Sequence, residues 1–479
     1  MYSDLRMSEL VGGSTLMRYD LAIVGSGGAG FAAAIAARSR GLQVIMIEAG
    51  TVGGTCVNVG CIPSKALLAA ADARHVAMDQ RFPGIMTQAG PVDMAALVAG
   101  KREIVDSMRQ EKYLDLAQSY GWEIRRGQAR FVPGPALEVG AGRIEAEHYL
   151  VATGSSPWNP PVAGLDGGPY LTSTTAFELD RVPESMVVVG GNYVGLELGQ
   201  LFARLGSRVT LVEALPRLAP AEEPEISTAL AAVLADEGVE VITAAPLLGV
   251  SWDGDRPRVR LGGDAPREVQ ADHLLMATGR RPNTAGLQLD RVGVEVGARG
   301  EVVVDTRLHT TSPRVWAAGD VTGAPQFVYV AGAHGTTVVE NAFFGGDREI
   351  DYRHLPRVTF TTPAIAAVGM TDQEAAASGI RCTCSVLSLA YVPRAIVSRD
   401  TRGLVKIVAD ADSRRVLGVH ILADGAGDMV LAATYALEAG LTIDQLAGTW
   451  CPYLTMAEGI KLAAQGFDRD VSKLSCCAA

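Results

Sequence analysis

The sequence is poor in cysteine and histidine, with seven of each among 479 residues. So few cysteines exclude a scaffold held together by disulfides, and the histidines lack the spacing of zinc ligands. No apolar run approaches the ~18 residues of a transmembrane helix, and residues 1–18 lack the continuous apolar core of a secretory signal. Acidic residues outnumber basic ones by 53 to 42, giving a net charge of −11. That balance argues against nucleic acid or an anionic membrane as a partner.

The length and the placement of the cysteines indicate the kind of protein. At ~100–200 residues per domain, the chain predicts about three domains, and 48% hydrophobic residues supply an ordinary globular core. Four of the cysteines form two close pairs, Cys56 with Cys61 and Cys476 with Cys477. This clustering favours thiol chemistry in a reducing cytoplasm. Residues 1–18 are expected to be a disordered leader, with Met7 or Met17 as alternative translation starts.

The rest of the chain is organised around residues 53–65, which read GGTCVNVGCIPSK. The two cysteines are five positions apart at the predicted start of a helix. Unpaired N–H groups and the positive end of the helix dipole lower the pKa of a thiol there. A thiolate attacks disulfides and binds soft metals. The pattern predicts a redox-active pair, with two buried structural cysteines or half of a zinc site as alternatives.

Two segments repeat a pattern of strand, glycine-rich turn, helix and second strand ending on an acid. The first comprises residues 19–24, 25–30 (GSGGAG), 31–39 and 43–47, ending on Glu48. The second comprises residues 185–189, 190–195 (GGNYVG), 196–205 and 208–212, ending on Glu213. Such glycines let a pyrophosphate approach the helix N-terminus, and the acid can hold ribose hydroxyls. Two units predict two dinucleotides, with electrons passing between them and then to sulfur. A single working site beside a decayed duplicate is the alternative.

Other features extend this organisation. Each unit is followed by short strands that end in an ATG turn, at residues 152–154 and 277–279, and residues 315–320 (VWAAGD) form a strand entering an acidic turn suited to a cofactor. Residues 93–119 predict one long amphipathic helix. From His354 onward the pattern predicts an α+β domain with an antiparallel sheet, of the kind that commonly forms a dimer interface. Its predicted strands lie near 364–370, 382–389, 404–409 and 416–422, and its helices near 426–439 and 455–464.

The predicted fold class is therefore α/β, with two doubly wound dinucleotide-binding domains and a C-terminal α+β dimerisation domain. The predicted boundaries are 19–155 with 284–353 for the first nucleotide domain, 156–283 for the second, and 354–479 for the dimerisation domain with a mobile Cys-Cys tail.

Residues 53–65, both glycine turns, both ATG turns and the AAGD turn together resemble the flavoprotein disulfide reductases, over nearly the whole chain from Tyr19. The resemblance implies that Cys61 is the thiolate facing the flavin and that Cys56 is the exchange thiol. It implies an ion pair of Lys65 with Glu197 beside the flavin. It also implies that Tyr193 is an aromatic gate that moves when nicotinamide binds.

The resemblance further implies two sets of cofactor-binding positions. Those for FAD are Gly25, Gly27, Gly28, Gly30, Glu48, Gly54, Thr55, Lys65, Thr153, Gly154 and Asp320. Those for NAD(P)H are Gly190, Gly191, Gly195, Glu213 and Gly279.

The C-terminal region resembles the mercuric reductase branch of this family. Branches that act on disulfides use a histidine as general acid/base in a His-Pro-Thr segment, and Tyr453 occupies that position here. A phenol with a pKa of ~10 is a poor base at neutral pH, so disulfide substrates are disfavoured. The runs at 325–330, 392–395 and 452–455 and the Cys476-Cys477 tail carry the resemblance.

This branch implies Hg(II) as substrate, delivered as a thiol complex and reduced to Hg(0). Hg(II) is soft and prefers thiolate ligands. The cysteines implied as its ligands are Cys56, Cys61, Cys476 and Cys477. The tail pair comes from the partner subunit, which implies a homodimer, and Tyr193 and Tyr453 line the path of the metal.

Three features depart from the family pattern. No Cys-x-x-Cys loop precedes Tyr19, so collection of the metal is expected to fall on the tail. Cys451 is either a thiol near the metal or a small buried side chain. Glu213 suits the free 2′-hydroxyl of NADH and repels the 2′-phosphate of NADPH, which the family usually uses. The sequence favours NADH, with Arg208 and Arg217 close enough in sequence to argue for NADPH.

Two other functions stay open on the sequence. One is a dihydrolipoamide dehydrogenase, which Glu213 favours and Tyr453 disfavours; the other is a flavoprotein that sequesters mercury without turnover. Cys382 and Cys384 are predicted to share one face of a strand. A metal pair is one alternative for them; because no histidine or third cysteine is near them in the sequence, we interpret them as structural and predict no second metal.

Overall fold

The structure, a computed structural model, describes residues 19–475. The predicted leader and the tail cysteines Cys476 and Cys477 lie outside the described residues. The chain divides into two compact units. The first holds the described residues up to Gly54 with Glu111–Gly154 and Pro282–Glu349, and the second holds Thr55–Gln110, Ser155–Arg281 and the residues from Ile350 onward.

The first unit is built on a five-stranded parallel sheet. In sheet order its strands are Val315–Ala317, Ala146–Val151, Tyr19–Val24, Val44–Glu48 and Glu123–Arg126. An antiparallel sheet beside it has the strands Ala129–Val132, Ala136–Val139 and Gly142–Ile144. The central strands are buried almost throughout, as apolar strands of parallel sheets generally are.

The helices of the first unit bring its outer segments together. They are Gly28–Arg38, Asp115–Tyr120 and Val328–Phe343, with 3-10 turns at Leu289–Val292 and Gly319–Thr322. The helices Gly28–Arg38 and Val328–Phe343 cross closely at Gly335, where a Cβ would overlap the carbonyl oxygen of Ala29. This crossing holds the acidic turn at 319–322 against the glycine turn, because Ala29 and Ala331 both pack against Gly319.

The second unit contains a second parallel sheet of four strands. In order they are Glu240–Ile242, Arg208–Val212, Ser185–Val189 and His273–Met276. An antiparallel sheet has the strands Leu247–Asp253, Arg256–Leu261 and Arg267–Gln270. The helices in this part are Cys61–Met78, Met94–Arg109, Ser173–Ala176, Tyr193–Leu205 and Pro224–Asp236. Leu67, Leu201 and Leu211 share one buried core, which fixes the helix of the cysteine motif against the nucleotide-binding sheet.

The C-terminal part of the second unit is the predicted α+β domain. Its antiparallel sheet has the strand order Arg357–Thr359, Ala364–Gly369, Val416–Ala423, Leu404–Asp410 and Cys382–Ser388. The helices are Asp372–Ala377, Pro393–Val397, Ala426–Glu438, Ile443–Gly448 and Glu458–Gln465.

The remaining short elements of the described chain are Gly54–Val59, Ser155–Pro157, Leu165–Gly167, Arg280–Pro282, Leu389–Tyr391 and Val471–Lys473.

The predicted fold class is confirmed, and several predicted element bounds are wrong. The helix predicted over 93–119 consists of three segments: Met94–Arg109, a π-helical turn at Gln110–Leu114, and Asp115–Tyr120. The periodicity of apolar residues did not predict the break, because a single π-helical turn changes the pattern too little to be seen in the sequence. The two helices that follow the glycine turns begin three residues earlier than predicted, at Gly28 and Tyr193. Within residues 19–475, no helix combines the length and the apolar character that crossing a membrane requires.

Candidate active site

The cysteine pair spans the junction of two helices. Cys56 lies in the helix Gly54–Val59, and Cys61 is the first residue of the helix Cys61–Met78. Gly60 makes the junction, and a Cβ there would stand 2.9 Å from the carbonyl oxygen of Thr55. Both cysteines are free thiols; Cys56 is half-buried and Cys61 is exposed.

The two thiols have opposite acidities. A hydrogen bond from the Cys56 thiol lowers the pKa of Cys61 to about 7, and the Lys65 ammonium and the N–H of Cys61 itself act in the same direction. The same hydrogen bond, together with burial, raises the pKa of Cys56. Cys61 is therefore the thiolate of the pair near neutral pH and Cys56 its proton donor.

Lys65 is fixed by two groups, the Glu197 carboxylate and the Phe360 ring. Its Nζ lies 2.7 Å from Glu197 Oε2 and 4.3 Å from the centre of the Phe360 ring. Glu197 is buried, and its other oxygen accepts a hydrogen bond of 2.9 Å from the backbone N–H of Phe360. The predicted Lys65–Glu197 ion pair is present in the structure. The contribution of Phe360 was not predicted, because no motif marks a residue 163 positions beyond Glu197.

The first glycine turn has the shape that a dinucleotide needs. Gly25 has a φ of +107°, and a Cβ there would overlap the carbonyl oxygen of Ala152. A Cβ at Gly30 would overlap Gly25. Among the described residues, no side chain caps the helix Gly28–Arg38, and its first turn contains no acid. Its N–H groups and positive dipole end fit the pyrophosphate of FAD.

Glu48 ties this turn to the following strand. Its Oε2 accepts hydrogen bonds from the backbone N–H and the hydroxyl of Ser26, at 3.0 and 2.6 Å, and its Oε1 accepts one from Gly50 N–H at 2.6 Å. Gly27 and Gly54 pack together, since a Cβ at Gly54 would stand 2.6 Å from Gly27 Cα. Thr55, at the start of the second unit, lies 3.5 Å from the Arg280 guanidinium.

The other predicted FAD positions, Thr153, Gly154 and Asp320, lie on two turns of the first unit. The Thr153 hydroxyl donates to Asn283 O at 2.7 Å, and Asn283 donates back to Gly154 O at 2.9 Å. Asp320 is held in the 3-10 turn Gly319–Thr322, whose first N–H donates to Nδ1 of the buried His334 at 3.1 Å. Burial lowers the pKa of His334 to about 4, so the ring is neutral and free to accept. No motif in the sequence marks His334.

The second glycine turn repeats this geometry in the second unit. Gly190 has a φ of +115°, and a Cβ there would overlap Ala277 O; a Cβ at Gly195 would overlap Gly190 O. Glu213 is buried and accepts hydrogen bonds from Gly191 N–H at 2.6 Å and Leu215 N–H at 2.8 Å. The turn before Gly279 is held by the Thr278 hydroxyl, which donates to Trp158 O at 3.0 Å.

The helix after this turn fits a second pyrophosphate. Within the described chain, no side chain caps the helix Tyr193–Leu205, and its first turn carries no acid. Arg208 lies at the start of the strand Arg208–Val212, the end away from Glu213. Arg217 lies in the loop after the strand and donates to Pro220 O at 2.6 Å. Of the two arginines, Arg217 is therefore the one on the nucleotide side of the sheet.

The two tyrosines of the predicted metal path occupy different settings. Tyr193 is the first residue of its helix, and burial, followed by the nearby Glu222 carboxylate, raises its pKa. Tyr453 is 49% exposed in the loop before the helix Glu458–Gln465. Cys451 is half-buried, and burial raises its pKa. At neutral pH a smaller fraction of Cys451 than of Cys61 is therefore ionised to the thiolate. Cys476 and Cys477 lie beyond the described residues, so their predicted role stays a prediction.

Two family models match the chain. Residues 19–335 match the model described as pyridine nucleotide-disulphide oxidoreductase, and residues 355–464 match the dimerisation domain of the same group.

Individual proteins resemble the chain over most of its length. The mercuric reductase of Streptomyces lividans is 58% identical over 96% of this chain and 98% of its own. The mercuric reductase of Bacillus cereus is 49% identical over 96% of this chain and 73% of its own. A solved structure, the HOCl-induced flavoprotein disulfide reductase RclA from Escherichia coli, is 32% identical with a TM-score of 0.83, covering 92% of this chain and 98% of its own.

Proposed function

Because the chain belongs to the pyridine nucleotide-disulphide oxidoreductase family, we propose that it reduces Hg(II), held by cysteine thiolates, to Hg(0) with electrons from NAD(P)H. The observation that carries the chemistry is the free Cys56–Cys61 pair with its acidic Cys61 thiol. The substrate follows from relatives named for mercury reduction and from Tyr453 in place of a histidine base. The family uses FAD and NAD(P)H.

The protein groups prepare the metal for reduction by ligand exchange. Cys61, as thiolate, displaces one thiolate from an incoming Hg(II)–thiol complex, and Cys56 displaces the second, its proton leaving with the released thiol. FAD, when bound, carries two electrons from NAD(P)H to the metal. Hg(0) then leaves, and Cys56 regains a proton, balanced by the one that oxidation of NAD(P)H releases, so that the pair is ready for the next ion. Lys65, paired with Glu197, holds a positive charge at the helix that carries Cys61.

We propose that the active form is a cytoplasmic homodimer in which Cys476 and Cys477 of the partner subunit deliver Hg(II). Tyr193 and Tyr453 line the delivery path. The match to a dimerisation domain over residues 355–464 supports the dimer. The proposed domain boundaries are 19–155 with 284–353 for FAD, 156–283 for NAD(P)H and 354–479 for dimerisation.

We propose NADH as the preferred nucleotide. Glu213 keeps carboxylate lone pairs for ribose hydroxyls after it accepts the two backbone N–H groups. Its negative charge repels a 2′-phosphate. Arg208 starts the strand at its far end and does not offset that repulsion, whereas Arg217, in the loop after the strand, is the residue that argues for NADPH.

The first experiment uses the purified FAD-loaded dimer under excess small thiol, with Hg(II) and either NADH or NADPH. Multiple turnovers with loss of mercury as vapour are expected, faster with NADH, and none with oxidised lipoamide. Cys56→Ala and Cys61→Ala should each abolish mercury release. Lipoamide turnover without mercury release would make this a dithiol dehydrogenase, and stoichiometric oxidation of NAD(P)H would make it a sequestering protein.

The delivery role is tested with mixed dimers. One subunit carries Cys56→Ala/Cys61→Ala, and the other carries Cys476→Ala/Cys477→Ala. If each tail serves its partner, the site with intact Cys56 and Cys61 faces an intact tail, so mixed dimers reduce Hg(II) bound to bulky thiols at about half the wild-type rate per dimer. Activity no higher than that of the tail-less homodimer would contradict delivery across the interface.

A further inference from the structure

Two cysteines outside the proposed active site lie on an edge strand. Cys382 and Cys384 begin the strand Cys382–Ser388, which is last in the order of its sheet. Alternate residues of a strand point to opposite faces. Ser385 and Leu387 are buried on one face, so Cys382 and Cys384 share the other. The sequence predicted this shared face.

Neither cysteine of this pair is buried. Both are free thiols, Cys382 half-buried and Cys384 exposed. A strand rises ~3.3 Å per residue, so the two Cα atoms stand about 6.6 Å apart, a separation that two side chains on one face can bridge through a shared metal ion by rotation about χ1. The Cys382 sulfur also lies 3.8 Å from the backbone oxygen of Asp372.

The surroundings of the pair are negatively charged. Lys406, two strand positions from the partner of Cys384, is buried and binds three carboxylates: Glu223 at 2.9 Å, Glu225 at 3.0 Å and Asp372 at 2.8 Å. Cys384 is in the field of Lys406, Asp372, Glu223 and Cys382. Three carboxylates against one ammonium attract a divalent cation and disfavour a bare thiolate.

We propose that Cys382 and Cys384 form a second site for Hg(II), separate from the Cys56–Cys61 pair. Two thiolates on one face satisfy a soft cation that prefers two sulfur ligands, whereas Zn(II), which requires four ligands, lacks a complete site there. Among the described residues, no group of three or more His, Cys, Asp and Glu side chains is arranged to hold a metal ion.

Loading is a ligand exchange without redox change. Hg(II) arrives bound to two small thiolates; each Hg–S bond to them breaks as a bond to Cys382 or Cys384 forms. The two cysteine protons leave on the released thiols. Partial desolvation raises the pKa of Cys384 to about 11, so its thiol is protonated near neutral pH and passes its proton to the departing thiolate as the Hg–S bond forms. The site does not rest on the proposed reduction and holds whether or not the protein turns over.

The test isolates the pair in the full-length FAD protein. A variant with Cys56, Cys61, Cys451, Cys476 and Cys477 all replaced by Ser keeps only Cys382 and Cys384. Retained FAD absorbance and unchanged dimer mass establish that it is folded. With Hg(II) and a small excess of monothiol, native mass spectrometry should find one Hg(II) per chain with no attached thiol, and two titratable thiols should disappear.

Two controls make the result decisive. Adding Cys382→Ser/Cys384→Ser to that variant should remove the bound Hg(II), and Zn(II) should not be retained by either variant. In the otherwise natural chain, Cys382→Ser/Cys384→Ser should leave mercury reduction unchanged and lower the Hg(II) retained without NAD(P)H by one per chain. Two Hg(II) ions per chain, each carrying an external thiol, or no loss in the double variant, would overturn the proposal. Failed reduction with retained binding would contradict only the proposed function.

Discussion

A single hydrogen bond separates the two active-site thiols into a thiolate and its donor. Cys61 has a pKa of about 7, lowered chiefly by the Cys56 thiol and then by Lys65. Alkylation of the reduced enzyme by iodoacetamide should therefore speed up as the pH rises through about 7. Cys56→Ala removes the main cause and should move that midpoint upward by about one unit or more. Cys384→Ser, on the edge strand, is the control; equal midpoints in Cys56→Ala and the control would contradict the assignment.

His334 makes the flavin-binding part sensitive to acid. Its pKa falls from 6.5 to about 4 on folding, because the buried ring stays neutral and accepts the N–H of Gly319. The contribution is complete above pH 6.5. As the pH falls from 6.5 toward 4, the unfolded chain binds a proton that the folded chain does not, and about 3 kcal/mol of stability is lost.

His334→Gln keeps a hydrogen-bond acceptor without this titration, so its thermal midpoint and FAD retention should fall less steeply between pH 7 and 4.5 than those of the natural protein. His309→Gln, at an exposed position of the same unit, should behave like the natural protein. Parallel pH profiles for all three proteins would refute the role of His334.

At the scale of elements, the helix Tyr193–Leu205 offers a matched pair of glycines. A Cβ at Gly195 would overlap the carbonyl oxygen of Gly190, whereas a Cβ at Gly199 meets Leu211 and Val209 at an ordinary 3.8 Å. Gly195→Ala should displace the turn at a cost of ~1–3 kcal/mol and raise the KM for the nucleotide about 10- to 100-fold, with FAD absorbance intact. Gly199→Ala should change it less than about twofold. Equal effects would show that the turn does not set nucleotide affinity.

The same elements show what the sequence can and cannot predict. Both glycine turns and their strands were predicted to within a few residues, because sterics at Gly25 and Gly190 act over short stretches of chain. The contact of Lys65 with Phe360 and the acceptor role of His334 were not predicted, since they depend on packing between distant segments. The exposure of Cys384 was not predicted either. The alternation of side chains along a strand shows that two residues share a face, but not whether another element covers that face.

At the scale of the whole molecule, Lys406 lies on the five-stranded C-terminal sheet of the second unit and joins it to the helix Pro224–Asp236 of the same unit. It is buried and pairs with the fully buried Glu223, whose other oxygen accepts the N–H of Asp372 at 2.7 Å. Lys406→Met would leave Glu223 charged without its counter-ion, so the free energy of unfolding should fall by ~3–5 kcal/mol.

Lys473→Met, which breaks an exposed pair with Asp470, should change that free energy by less than ~1 kcal/mol. Denaturant unfolding of the FAD-loaded protein measures both. If the two variants were equally stable, the buried network would not hold these parts together.

The double hydrogen bond of Glu213 limits how this protein can evolve. The carboxylate that we propose faces the nucleotide also accepts hydrogen bonds from Gly191 and Leu215, so a substitution there that altered coenzyme choice would also loosen the loop. Substitutions that change coenzyme preference are therefore expected at neighbouring positions such as Arg217, where they leave the hydrogen bonds of Glu213 intact. Glu48 carries the same constraint on the flavin side. Both glutamates are therefore expected to resist substitution, because each one holds a loop in place in addition to its proposed contact with a cofactor.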